Sequence, residues 1–200
     1  YFIQELLPDA IIEEFKSHMD HFYTYPMETF LTDCKTLAQL YIGSKITAME
    51  RIRTFDLLSR NFHVDLYTGS DTSILPHIHN RGLAKTLTEM PIIFHESKIN
   101  INTTSRSIRS GLPLRIFDIL GCGGFVLSNY QPELPELFTP DEELVAYSSP
   151  EELKELVAYY LEHDKERKEI AHNGFEKVKT HYTYPIRLEQ MLRFAFQINT

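Results

Sequence analysis

Apolar residues recur along this chain in two rhythms, and the change from one to the other marks its organisation. Near the start, Leu6, Ile11, Ile12 and Phe15 fall on one helical face. The spacing predicts helix over residues 1–60, with a break at Tyr25-Pro26 because proline cannot continue a helix from within. The period then drops to two. Residues 63–67 predict a strand with Val64 and Leu66 on one face, closed by the turn cluster Thr68-Gly69-Ser70-Asp71. A polar stretch containing Pro76, Asn80 and Gly82 leads to a short helix over 90–96. Further strands are predicted at 98–102, 124–128 and 143–147, with helices at 112–120 and 133–138 between them.

Ser149-Pro150-Glu151-Glu152 opens the next helix with a capping-box Ser and Glu and a proline at the first helical position. Leu153, Leu156, Val157, Tyr160 and Leu161 continue it as one apolar stripe. Helices over 164–180 and 184–198 follow. Repeated strand–helix–strand spacing predicts an α/β fold, a Rossmann-like parallel sheet with helices on both faces and several helices at its end. The expected organisation is a helical lead-in, residues 1–60, packed on a unit formed by residues 61–200.

Composition narrows the function. With 200 residues, 42% hydrophobic and 24% charged, there is material for one sizeable core. A formal charge of −8 argues against nucleic acid or an anionic membrane surface as a partner, since both call for broad positive faces. No apolar run reaches the roughly 20 residues that cross a bilayer. Cys34 and Cys122 lie far apart without metal-like pairing and read as reduced thiols of a cytoplasmic protein. The first residues are already amphipathic and carry no initiating Met, which reads as a fragment excised from a longer protein.

Against that acidic background, residues 97–117 carry Lys98, Arg106, Arg109 and Arg115 and no carboxylate. This stretch runs into the glycine-flanked helix SGLPLRIFDILGCGG, and a positive field beside a helix start suits an anion, above all a phosphate. Thr103, Thr104, Ser105, Arg106 and Ser107 follow the 98–102 strand, where hydroxyls and backbone amides can donate to phosphate oxygens. Gly111 lets a ligand approach the backbone closely. Arg115 sits in the first turn of the helix, against the helix dipole, at a cost of roughly 0.3–1 kcal/mol. A bound diphosphate reverses the sign of that term, whereas a bland reading pairs Arg115 with Asp118 three residues on. Asp118 can accept from the hydroxyls of a ribose. Gly121, Gly123 and Gly124 read as the helix end and the turn into the next strand, and Cys122 as a small buried hydrophobe.

The run KININTTSRSIRSGLPLRIFDILGCGGFVLSNYQPELPELF resembles the carboxy-terminal domain of the CgeB-like (spore maturation protein) glycosyltransferases. The resemblance extends through KITAMERIRTFDLLSRNFHVDLYTGSD and YYLEHDKERKEIAHNGFEKVKTHYTY, and so covers nearly the whole chain. It implies the GT-B architecture, in which two Rossmann-like domains face each other across a cleft, and it implies the half that holds a nucleotide-diphosphate sugar, a UDP-sugar being the first guess. Related retaining enzymes carry two glutamates separated by seven residues around this helix. The resemblance sets Ser110 at the first position and Asp118 at the second, so the ribose-binding acid has a conservative stand-in and the sugar-contacting one does not. It also implies that Gly82 and Leu83 lie near the base. An amino-terminal domain normally precedes this one, and its absence here would leave this stretch inactive alone.

The expected site is therefore Arg115 as catalytic cation, with Arg106, Ser107, Ser110, Gly111, Asp118, Gly82 and Leu83 binding the donor. No cofactor or metal is called for, because cationic side chains and helix dipoles can stabilise a leaving diphosphate. His77-x-His79 has no further ligand at metal spacing except Asp71, and a nicotinamide-binding G-x-G-x-x-G is absent. The alternative is a non-catalytic nucleotide-binding or assembly module, Ser110 being the visible loss. The apolar face of the last helix (Leu188, Leu192, Phe196) predicts self-association. Tyr159, Tyr160, Tyr182 and Tyr184 read as packing residues rather than as base-stacking ones.

Overall fold

The computed structural model describes residues 8–18, 34–105, 108 and 110–197. In chain order its elements are α1 (Asp9–Ser17), α2 (Cys34–Ser59), β1 (Asp65–Leu66), β2 (His79–Asn80), α3 (Met90–Glu96), β3 (Asn100–Asn102), α4 (Leu114–Gly121), β4 (Val126–Asn129), α5 (Leu134–Leu137), β5 (Val145–Tyr147), α6 (Pro150–Glu162), α7 (Asp164–His181) and α8 (Tyr184–Ala195). The expected break at Tyr25-Pro26 lies outside the described residues.

Among the described residues every strand pairing is parallel. β3, β4 and β5 lie side by side in sequence order, with Ile101 opposite Leu127 and Leu127 opposite Val145. β1 and β2 form a separate pair, with Asp65 opposite His79. β2 was not expected, for it is a polar dipeptide with no apolar period. His79 N–H donates to Val64 O at 3.0 Å and Arg81 N–H to Leu66 O at 2.9 Å. The strands are shorter than the hydrophobic alternation suggests, because a ladder extends only where neighbours overlap.

The period of two sorts the sheet into two cores. Phe125, Leu127, Val145 and Tyr147 point to one side, where Leu58 of α2, Leu153, Val157 and Tyr160 of α6 and Ile170 of α7 cover them. Val126 and Leu144 point to the other, against Ile116, Ile119 and Leu120 of α4, Leu134 of α5 and Val178 of α7. Each such side chain contributes roughly 1.5–3 kcal/mol on full burial. Helices thus cover both faces. Tyr160 and Tyr182 are packing residues, as expected, and Tyr182 also donates to Leu137 O at 2.9 Å.

Local chemistry sets the ends of α6. Ser149 Oγ accepts from Glu152 N–H at 3.1 Å, and the Glu152 carboxylate accepts from Ser148 N–H at 2.6 Å. Gly174 lets α7 cross the segment before β5, since a Cβ there would overlap the Glu143 carbonyl. Along α8 no residue is buried, and Tyr184, Leu188, Met191, Leu192 and Phe194 are exposed.

Candidate functional site

The carboxyl ends of β3, β4 and β5 are where an open parallel sheet offers a ligand its backbone and its helix starts. Here those ends carry polar residues that are almost fully buried: Asn102, Thr104, Ser128, Asn129 and Gln131. Each is satisfied by another. Asn102 Nδ2 donates to Thr104 Oγ1 at 3.1 Å and to Ser128 Oγ at 3.0 Å. Thr104 N–H donates to Asn129 Oδ1 at 2.7 Å, and Gln131 donates to Thr104 Oγ1. From β5, Tyr147 OH donates to Asn102 O at 3.0 Å, and burial pushes that phenol far above its ordinary pKa, so it stays a donor. A closed network of this kind fixes the loop that leaves β3. Over it lies a small crevice lined by Thr47, Glu50, Arg51 and Thr54 of α2 together with Thr103, Thr104, Asn129 and Tyr147. None of these α2 residues stood out in the sequence. The one available signal was that β3 and β4 both end in Asn.

The loop from β3 delivers α4. Burial of Ile116, Ile119 and Leu120 leaves Arg115 and Asp118 on the exposed face. Pro113 precedes the first turn, no side chain caps it, and it contains no acid. Arg115 is thus the one cation in the first turn of α4, beside amides that no side chain at the cap position satisfies, the rule-breaking arrangement expected from the sequence. Its neighbours were not expected. The guanidinium lies 5.3 Å from the centre of the Phe94 ring and its Nη1 is 3.8 Å from Met90 Sδ, both on α3. Among the described residues no ion pair joins Arg115 to Asp118, so the bland pairing does not form.

Gly111 and Gly82 both have left-handed backbones, φ +80° and +76°, and a Cβ on either would meet open space. Ser110 is exposed beside Gly111. Gly82 follows β2, its N–H donating to Asn80 Oδ1 at 2.9 Å. Leu83 is 81% exposed and lies against Gly69, which follows β1. This segment belongs to the β1–β2 unit and leads into α3, which receives Arg115. Arg106, Ser107 and Arg109 lie outside the described residues.

One member of the positive stretch belongs elsewhere. Lys98 precedes β3, at the opposite end of the strand from residue 103, and its charge helps hold the Asp164 carboxyl of α7 below the ordinary range, after the hydrogen bond from Lys168. Residues close in sequence are thus parted by the strand between them. Cys122 is part-buried; burial and then the charge of Asp118 push its thiol up, which suits a packing role and not a nucleophile. His79 stacks on His63, with ring centres 4.3 Å apart, and among the described residues no group of three His, Cys, Asp or Glu is placed to hold a metal ion. Among those residues, too, no helix is long and apolar enough to cross a membrane.

Comparison with known proteins adds the following. The family model described as glycosyl transferase-like matches residues 38–193. The carboxy-terminal domain of LpcC, a glycosyl transferase group 1 family protein from Francisella tularensis, is 16% identical over 72% of this chain and 82% of its own, with a TM-score of 0.53. A glycosyltransferase from Rickettsia africae ESF-5 is 14% identical with a TM-score of 0.53; the match covers 100% of this chain and 55% of that one, so this chain spans about half its length. At these identities the likeness is one of fold. No curated protein matches in sequence.

Proposed function

Because this chain belongs to the glycosyl transferase-like family, we propose that it is the donor-binding domain of a CgeB-like glycosyltransferase, holding a nucleotide-diphosphate sugar at the start of α4. Its fold is that of the carboxy-terminal half of a GT-B glycosyltransferase. The observation that carries the proposal is Arg115 in the first turn of α4, which holds no acid, beside a left-handed Gly111 that faces open space.

In this reading the diphosphate lies at the α4 start, beside Ser110 and Gly111. Arg115 neutralises it, and Arg106 is the second cation we assign to it. The guanidinium lies over the Phe94 ring and spends Nη1 on Met90 Sδ, which leaves its other N–H groups for phosphate oxygens. Ser107, Ser110 and the Gly111 backbone supply further donors, Asp118 accepts from the ribose hydroxyls, and Gly82 with Leu83 borders the base, uracil being the first guess. Negative charge builds on the diphosphate as the glycosidic bond breaks. Cationic and dipolar groups already in place stabilise that charge without reorganising, which is how this half lowers the barrier. The acceptor and any base come from the rest of the enzyme. Both thiols are free, which suits the cytoplasmic location we propose.

The test is turnover of the intact enzyme with Arg115→Ala. Loss of one such electrostatic contact lowers kcat by about tenfold or more. Because Arg115 is exposed, the melting temperature should hold. Near wild-type turnover would remove Arg115 from the site.

A further inference from the structure

Met90 and Phe94 stand one turn apart on α3, so both can reach the same neighbour. That neighbour is Arg115, with Nη1 3.8 Å from Met90 Sδ and the guanidinium carbon 5.3 Å from the centre of the Phe94 ring. The ring does not float. It is half-buried against the core that holds Ile116, Ile119 and Leu120. Its own carbonyl accepts from Asn100 Nδ2 at 2.9 Å. The next residue, His95, ties α3 to the far end of α4, its Nδ1 lying 2.9 Å from Cys122 O. A carbonyl only accepts, so Nδ1 carries the proton in that bond. Core packing and two hydrogen bonds thus fix the ring on which Arg115 rests.

We infer that Phe94 is a positioning residue for the donor site: it holds the Arg115 guanidinium at the start of α4 with its charge still available to a diphosphate. The inference rests on the donor-site reading above. Neither an aromatic ring nor a thioether carries net charge, so these contacts fix the cation without neutralising it. A carboxylate in the same place would compete with phosphate for the guanidinium. An arginine already held still also has less rotamer freedom to lose on binding. Phe94 acts through Arg115, so its effect on binding vanishes when Arg115 is gone.

The test is a double-mutant cycle in the intact protein, with inorganic pyrophosphate as probe and calorimetry as readout. The four proteins are wild type, Phe94→Leu, Arg115→Ala and the pair, and Phe94→Tyr is the conservative replacement. We expect Phe94→Leu to weaken pyrophosphate binding about two- to fivefold, the range that a surface cation–π contact supports. Phe94→Tyr keeps the ring and should keep wild-type affinity. In Arg115→Ala protein the Phe94→Leu change should alter affinity by less than about 1.5-fold. Packing lost with the ring is common to both backgrounds and drops out of the cycle. Equal losses in both backgrounds would make Phe94 a packing residue only and overturn the inference. So would wild-type affinity in Phe94→Leu, or a Phe94→Tyr variant as weak as Phe94→Leu. A wild-type protein that binds no pyrophosphate, or binding that Arg115→Ala leaves unchanged, would overturn the donor-site reading itself, and the inference with it.

Discussion

Gly124 offers a sharp test of the packing that seats Arg115. A Cβ at this position would lie 2.5 Å from Phe94 O, 2.9 Å from Asn100 Nδ2 and 3.0 Å from Ile119 Cγ2. The first two atoms are partners, because Asn100 Nδ2 donates to Phe94 O at 2.9 Å. A methyl group must push between them or displace α3 bodily. The steric part costs about 1–3 kcal/mol, by analogy with overpacked cores. Leaving the buried Asn100 amide short of an acceptor costs about 1–3 kcal/mol more. The sum, roughly 2–6 kcal/mol, lowers the melting temperature of Gly124→Ala by roughly 4–24 °C in a protein of this size. Gly121 provides the control. A Cβ there meets only Val178 Cγ1 at 3.8 Å, an ordinary contact, and alanine improves helix propensity by up to about 1 kcal/mol. Thermal melts and urea titrations of both variants decide the matter. If Gly124→Ala melts within about 2 °C of wild type, or Gly121→Ala is the worse of the two, the account of the α3–α4 seat is wrong.

Two further outcomes follow from other parts of the fold. Burial of Asp65 works against its ionisation, but the hydrogen bond and charge of Arg81 (2.7 Å), with His63 beside them, prevail and hold its carboxyl below the ordinary 3.8. A lowered folded-state value stabilises above the unfolded one and is lost as pH falls through it, so the stability advantage over Asp65→Asn should shrink below about pH 4; a difference constant from about pH 3 to about pH 7 would refute this. The uncovered apolar residues of α8 should make the chain self-associate in sedimentation across a concentration series, and Leu188→Glu with Leu192→Glu should restore the monomer. A wild-type chain that is strictly monomeric throughout would contradict that expectation.

Much of the fold could be read from local pattern, because its main forces are local or periodic. The Ser149 cap and the apolar stripe placed α6, and the alternation of Ile99, Ile101, Phe125 and Leu127 placed strands on the sheet. β2 escaped because His79–Asn80 has no apolar period; its place comes from backbone bonds to β1, which lies fourteen residues earlier at the paired Asp65. The site divides in the same way. Gly111, Arg115 and Asp118 sit within one short segment, and the conflict between Arg115 and its helix start is a local one. Asn102, Thr104, Asn129 and Gln131 become intelligible only as partners across 25 to 27 residues. Arg51 and Phe94 touch the segment from helices that the fold alone brings near. Lys98 misled for the complementary reason, since nearness in sequence hid the strand that separates it from the loop.

The most direct test of the central claim is saturation-transfer NMR of the protein against UDP, GDP, ADP and NAD, repeated with Asp118→Ala. The account predicts transfer to one nucleoside diphosphate, UDP first among them, and its loss in the variant while the fold persists. Silence from every diphosphate, or transfer undiminished in Asp118→Ala, would contradict a donor site at the start of α4.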